Sequence, residues 1–158
     1  VRYALETCAT VEHAIETLSR LPSAGVQNVI VQDRSGASAV VYLRPDRPAV
    51  VSREPMVTNH QETAPSGTGE ASNSSGRKSR LSDLQGVEPA VALQAFLKPP
   101  LHHNAFSDWF GTLYTAVYEP ASGKARYHWK DSVWEQSIEI FQEGRRTLKF
   151  TEDSELGS

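Results

Sequence analysis

Cys8 is the only thiol among these 158 residues, and thiolate chemistry needs a base beside it and a lowered pKa. Its neighbours Glu6, Thr7, Ala9 and Thr10 form no Gly-rich elbow, and His13 is the nearest histidine. Cys8 therefore reads as a packing residue ahead of a helix. His102 and His103 are adjacent and would point apart on a strand, with no Cys or further His at a ligand spacing around them, so no metal site is expected. Asn59 and His60 close a β-branched run, and a strand end is where a rigid scaffold displays functional side chains. Arg77-Lys78-Ser79-Arg80 offers guanidinium forks suited to a carboxylate or phosphate, though without a Gly-rich phosphate loop. The carboxylates Asp33, Asp46 and Glu54 show no spacing that marks a general acid and base. No cofactor is implied, and residue chemistry alone leaves the function open.

The elements that would position these groups follow from periodicity. Thr10 precedes Val11, Ala14, Ile15 and Leu18, an apolar stripe that predicts a capped helix over residues 11–21, stopped by Pro22. Residues 28–33 and 37–43 are β-branched runs around Arg34-Ser35-Gly36 and predict a hairpin. Runs at 48–52 and 55–59, after turns at Pro45-Asp46 and Glu54-Pro55, predict a third and a fourth strand. From His60 to Arg80 there is no large apolar residue, so 60–80 is expected to be a mobile loop. A helix after Leu81 and another opened by Pro89 and closed by Pro99-Pro100 come next. Residues 111–118 and 124–129 predict a hairpin, and 137–141 with 147–150 a second one, with a helix over 134–141 as the alternative. Residues 152–158 read as a disordered tail. The expected class is α+β with mostly antiparallel strands.

Eleven of the thirteen aromatic residues lie at or after Phe96, so the parts before and after the loop are expected to complement each other within one domain spanning 1–151. Sixteen basic against nineteen acidic residues give a net charge of −3, no footprint for nucleic acid or for a membrane surface. A single cysteine excludes an internal disulfide and favours a reducing compartment, the cytoplasm. No apolar run approaches the ~20 residues needed to cross a bilayer.

Several strings then stand in a specific order: 28–36 (NVIVQDRSG), 45–51 (PDRPAVV), Val57-Thr58-Asn59-His60, Ser74-Ser75-Gly76-Arg77 with Leu81, Pro99-Pro100-Leu101, and Phe110 to Pro120. Together they resemble the C-terminal portion of isopenicillin N acyltransferase-like proteins. These are autoproteolytic cysteine Ntn (N-terminal nucleophile) hydrolases and acyltransferases, relatives of carcinine hydrolase and choloylglycine hydrolases. The resemblance implies part of a four-layer αββα sandwich in which a self-exposed N-terminal cysteine attacks an amide or thioester carbonyl, its α-amino group acting as base. It implies that Asn59 helps hold the oxyanion, that Arg77, or Arg80 in a shifted register, supports the site, and that His60 lies by the substrate. The nucleophile, with the arginine and aspartate that follow it closely in the family, is expected upstream of Val1. The expected partners are therefore that upstream polypeptide and a small acyl-amide or acyl-thioester. A chain without its other half is expected to be inactive and to self-associate through an uncovered apolar face. The alternative is a non-catalytic ligand- or partner-binding domain that keeps the fold. A stand-alone hydrolase using Cys8 with His13 or His60 is a third, weaker reading.

Overall fold

Hydrophobic alternation and well-placed turn residues build a three-stranded meander covered by helices at the start of the chain. The computed structural model describes residues 1–61, 73–108 and 110–150. It divides into two compact units, Val1–Asp83 with Pro120–Ser122, and Leu84–Glu119 with Gly123–Ser158. The expected tail at 152–158 and most of the stretch between His60 and Ser74 lie outside the described residues.

The first unit opens with α1 (Arg2–Thr7) and α2 (Val11–Arg20), followed by β1 (Gln27–Gln32), β2 (Ser38–Arg44), β3 (Arg47–Ser52) and α3 (Ser74–Asp83). Thr10 caps α2 as its sequence predicts, its hydroxyl accepting from His13 N at 3.3 Å. The strands form one antiparallel sheet in the order β1-β2-β3. Val29 faces Val41 and Val41 faces Val51 across it. Leu18 of α2 and Ala4 of α1 meet Val41 and Leu43 in a core, with Ile15, Val29, Val31 and Ala49 packed around it. Side chains alternate along a strand, so Ile30 and Val50 project from the opposite face, where they are 51 % and 45 % exposed.

Gly36, at φ +88, closes the β1–β2 hairpin in the left-handed region, and Asp33 organises the same turn. Asp33 Oδ1 accepts from the Ser35 backbone and hydroxyl, while Oδ2 accepts from Val11 N at the first residue of α2. Replacing Gly36 by Ala is expected to cost about 1 kcal/mol in urea unfolding, whereas Ala at Gly25, which meets open space, serves as the silent control. The hydrogen bonds from Ser35 and Val11 hold the Asp33 carboxyl below its ordinary pKa. A carboxylate depressed by folding adds stability above its unfolded pKa, and that stability is lost as pH falls through the folded value. The stability gap between the parent and Asp33→Asn is therefore expected to be full at pH 6 and to shrink below about pH 4. Urea titrations at pH 6 and pH 3 measure it, and a gap independent of pH would refute the assignment.

The segment 55–59, expected as a fourth strand, is not one. Pro55 has no N–H to give to a ladder, and the carbonyls of Thr58 and His60 are taken by a side chain instead of a strand. Within the span expected to be a loop, residues 74–80 are helical and form the start of α3.

The second unit holds α4 (Pro89–Phe96), with Pro89 in its first turn, the short pair β4 (Asn104–Ala105) and β5 (Phe110–Gly111), and β6 (Thr115–Glu119), β7 (Lys124–Trp129) and β8 (Ser132–Ser137). The last three form an antiparallel sheet in the order β6-β7-β8. Gly111, expected to start the 111–118 strand, belongs with Phe110 to β5 and pairs with β4 instead. The expected 137–150 hairpin does not form either. The Trp129↔Ser132 pairing leaves only Lys130 and Asp131 between strands, so closing this shorter loop takes Val133 to Ser137 as a strand on β7. Tyr127 lies opposite Trp134, and pleat alternation puts Tyr118, Tyr127, Trp129 and Trp134 on one face, where Tyr114 makes edge contacts with Tyr127 and Trp129. Arg146 stacks over Trp134, 5.3 Å from its ring centre.

Candidate functional site

The candidate site is built where the segment after β3 runs beneath α3. Every third or fourth residue of α3 returns to one side of the helix, and on that side stand Ser74, Arg77, Lys78 and Ser82. Each meets the 54–60 segment. Ser74 Oγ accepts from His60 N at 3.1 Å and contacts His60 Nδ1 at 2.8 Å. Arg77 Nη2 donates to Asn59 Oδ1 at 2.6 Å. Lys78 Nζ pairs with Glu54 at 3.2 Å, and Ser82 Oγ donates to the Met56 sulfur at 3.5 Å. Polar groups and one buried methionine thus seat this helix, with hardly any apolar stripe.

Asn59 and Arg77 come together. Arginine only donates, so the Asn59 oxygen must face it, and the Asn59 Nδ2 donors face the other way. Asn59 is exposed and Arg77 half-buried. Arg77 Nε is enclosed and makes no hydrogen bond among the described residues. Arg80 lies elsewhere, pairing with Asp83 three residues along the helix at 3.7 Å. His60 is held through Nδ1, which also lies 3.1 Å from Thr58 Oγ1. Ser74 Oγ accepts from His60 N and has its proton left to give to Nδ1, an arrangement that suits the tautomer protonated at Nε2.

The other sequence candidates stand apart from this constellation. Cys8 Sγ donates to Thr17 Oγ1 at 3.3 Å and packs against the α1–α2 core, in keeping with a packing role. His13 sits on α2, and His103 N donates to Thr112 Oγ1 at 2.9 Å in the second unit. Among the described residues no group of three His, Cys, Asp or Glu side chains could hold a metal ion, and no helix is long and apolar enough to cross a membrane. Sequence reading gave no role to Ser74, Thr58, Asn28 or Gln61, all of which touch the site.

Helices on a mainly antiparallel meander, with an asparagine amide oriented by an arginine beside a strand end, define an α+β protein carrying a hydrogen-bond donor aimed outward. Residues 1–134 match the family model for acyl-coenzyme A:6-aminopenicillanic acid acyl-transferase, and the chain belongs to that family. This is the Ntn-hydrolase family that its motif order resembles. No curated relative and no solved structure matches the chain.

Proposed function

We propose that this chain contributes the Asn59–Arg77 pair to a cysteine-type Ntn hydrolase or acyltransferase that acts on linear amide or thioester bonds. The observation that carries the reading is the 2.6 Å bond from Arg77 Nη2 to Asn59 Oδ1, which commits the Asn59 N–H groups to an acceptor outside the pair. Cys8 is engaged with Thr17, so the reading places the nucleophilic N-terminal cysteine on other polypeptide, encoded upstream, within an αββα sandwich.

In that assembly the cysteine α-amino group takes the thiol proton and the sulfur attacks the substrate carbonyl carbon. The carbonyl oxygen becomes an oxyanion that accepts from Asn59 Nδ2. Collapse of the tetrahedral intermediate breaks the C–N or C–S bond. The α-ammonium returns its proton to the leaving amine or thiol, and a thioester acyl-enzyme remains. Water or an acceptor amine then attacks that thioester and regenerates the cysteine. Arg77 keeps the Asn59 amide from rotating. His60, held by Ser74 through Nδ1, offers Nε2–H at the substrate rim.

The test is to produce the chain with its native upstream segment and assay release of amine from an N-acyl amine and of thiol from an acyl thioester. Turnover in the longer protein and none in the isolated chain is the expected result. A native frame with no processed cysteine, joined to ligand binding without turnover, would favour the second reading, a silent binding domain. That reading draws on the absence of a thiol among the side chains bonded to Asn59 and Arg77 in the described residues. The exposed Ile30 and Val50 support self-association of the isolated chain, read by sedimentation.

A further inference from the structure

Asn59 is flanked by two peptide carbonyls that a single side chain captures. The Asn28 amide, on edge strand β1, donates from Nδ2 to the carbonyl of Thr58 at 2.7 Å and to that of His60 at 3.2 Å. Its oxygen is fixed in turn, since Asn28 Oδ1 accepts from Gln61 Nε2 at 2.8 Å. The same Gln61 nitrogen lies 3.3 Å from the carbonyl of Gln27 and 3.4 Å from that of Leu43, at the paired ends of β1 and β2. Gln61 is 4 % exposed. With carbonyls on one side of the Asn28 amide and a donor on the other, only one orientation of that amide satisfies every partner.

We infer that Asn28 is the positioning residue of the Asn59–Arg77 pair, locked by Gln61 and anchored in the hydrogen-bonded frame of β1 and β2. The 58–61 segment has no strand of its own to hold it, so the clamp transfers the rigidity of the sheet to the backbone on both sides of Asn59. An asparagine in β1, just ahead of Val29-Ile30-Val31, gives up the strand packing of a β-branched residue, and the two carbonyl bonds are what it gains. The inference rests on the reading of Asn59 as the oxyanion donor, yet its central claim concerns this chain alone and is measured without a nucleophile.

Asn28→Asp keeps the shape and the acceptor for Gln61, removes both donors and sets an oxygen against the two carbonyls. A double-mutant cycle of Asn59→Ala and Arg77→Met, read by urea unfolding of the 158-residue chain, gives the coupling within the pair. The parent is expected to show a coupling of about fivefold in the unfolding equilibrium constant, falling below about twofold in the Asn28→Asp background. A residue that is only architectural would lower overall stability and leave the coupling unchanged, and that outcome overturns the inference, as does a parent with no coupling. Should Asn28→Asp fail to fold, Gln61→Met releases the far side of the clamp and the same cycle decides with the same two outcomes. In the longer, active protein, Asn28→Asp is expected to lower kcat about tenfold with KM held. If Asn59→Ala leaves turnover intact while the coupling still depends on Asn28, the oxyanion reading fails and the positioning role stands. If Asn59→Ala abolishes turnover and Asn28→Asp does not change it, the positioning role fails.

Discussion

Asn59→Ala is expected to lower kcat of the complete, cysteine-bearing protein by about 100-fold or more, with KM little changed. The size follows from where the amide acts. A fixed N–H donor aimed at the developing oxyanion bonds it more strongly than the ground-state carbonyl, so its loss falls on the chemical step. Arg77→Met leaves the amide in place but frees it to rotate, and a loss of about tenfold is expected from misorientation. The double variant should be no worse than Asn59→Ala alone, because an amide that is gone cannot be misoriented. Steady-state kinetics with a chromogenic N-acyl amine measure all three. An unchanged kcat for Asn59→Ala would remove the role assigned to the pair. The folded state of each variant is checked by circular dichroism, since Asn59 is exposed and its truncation leaves no cavity.

Leu18→Ala is expected to destabilise the first unit by about 3 kcal/mol. Leu18 is 3 % exposed and sits where α2 covers Val41 and Leu43, so truncation opens a cavity that the paired strands cannot close over. For a unit of this size the midpoint of thermal unfolding should fall by about 15 °C. Leu5→Ala is the matched control, because Leu5 is 80 % exposed and the same truncation should change stability by less than about 0.5 kcal/mol. Equal effects at the two positions would mean that α2 is not the lid of this core.

Much of the first unit could be read from the chain because local rules and tertiary packing agree there. Thr10 caps, the Val11 to Leu18 stripe faces the sheet, and Gly36 turns the hairpin, so each level points to the same answer. The short α1 offered too few residues for a period to show. α3 was misplaced for another reason. Ser74, Arg77, Lys78 and Ser82 repeat with helical spacing, but they are polar, and a search for apolar stripes cannot see a helix seated by hydroxyls and charges. The fourth strand was misjudged because β-branched composition at Val57 and Thr58 says nothing about whether a neighbouring edge is available. The second unit was read in its hairpin but not in its ending, where two alternating runs competed for one partner strand and the nearer one took it.

For the candidate site, order along the chain carried more information than chemistry. Asn59 and Arg77 were singled out by motif sequence, and the structure brings them within a hydrogen bond across a stretch that has no readable pattern. Asn28 and Gln61 stayed hidden because a carboxamide has no diagnostic partner type, and what it binds is decided by which carbonyls the fold brings near.

The aromatic face of the β6-β7-β8 sheet bears on how any of these variants should be watched. Trp129 and Trp134 lie on it, and the first unit contains no tryptophan. The indole emission of Trp129 and Trp134 therefore reports on the tyrosine-flanked sheet that holds them, while no tryptophan stands in the unit that carries Asn59. Loss of α2 is followed by ellipticity from the amide backbone, recorded beside any fluorescence melt.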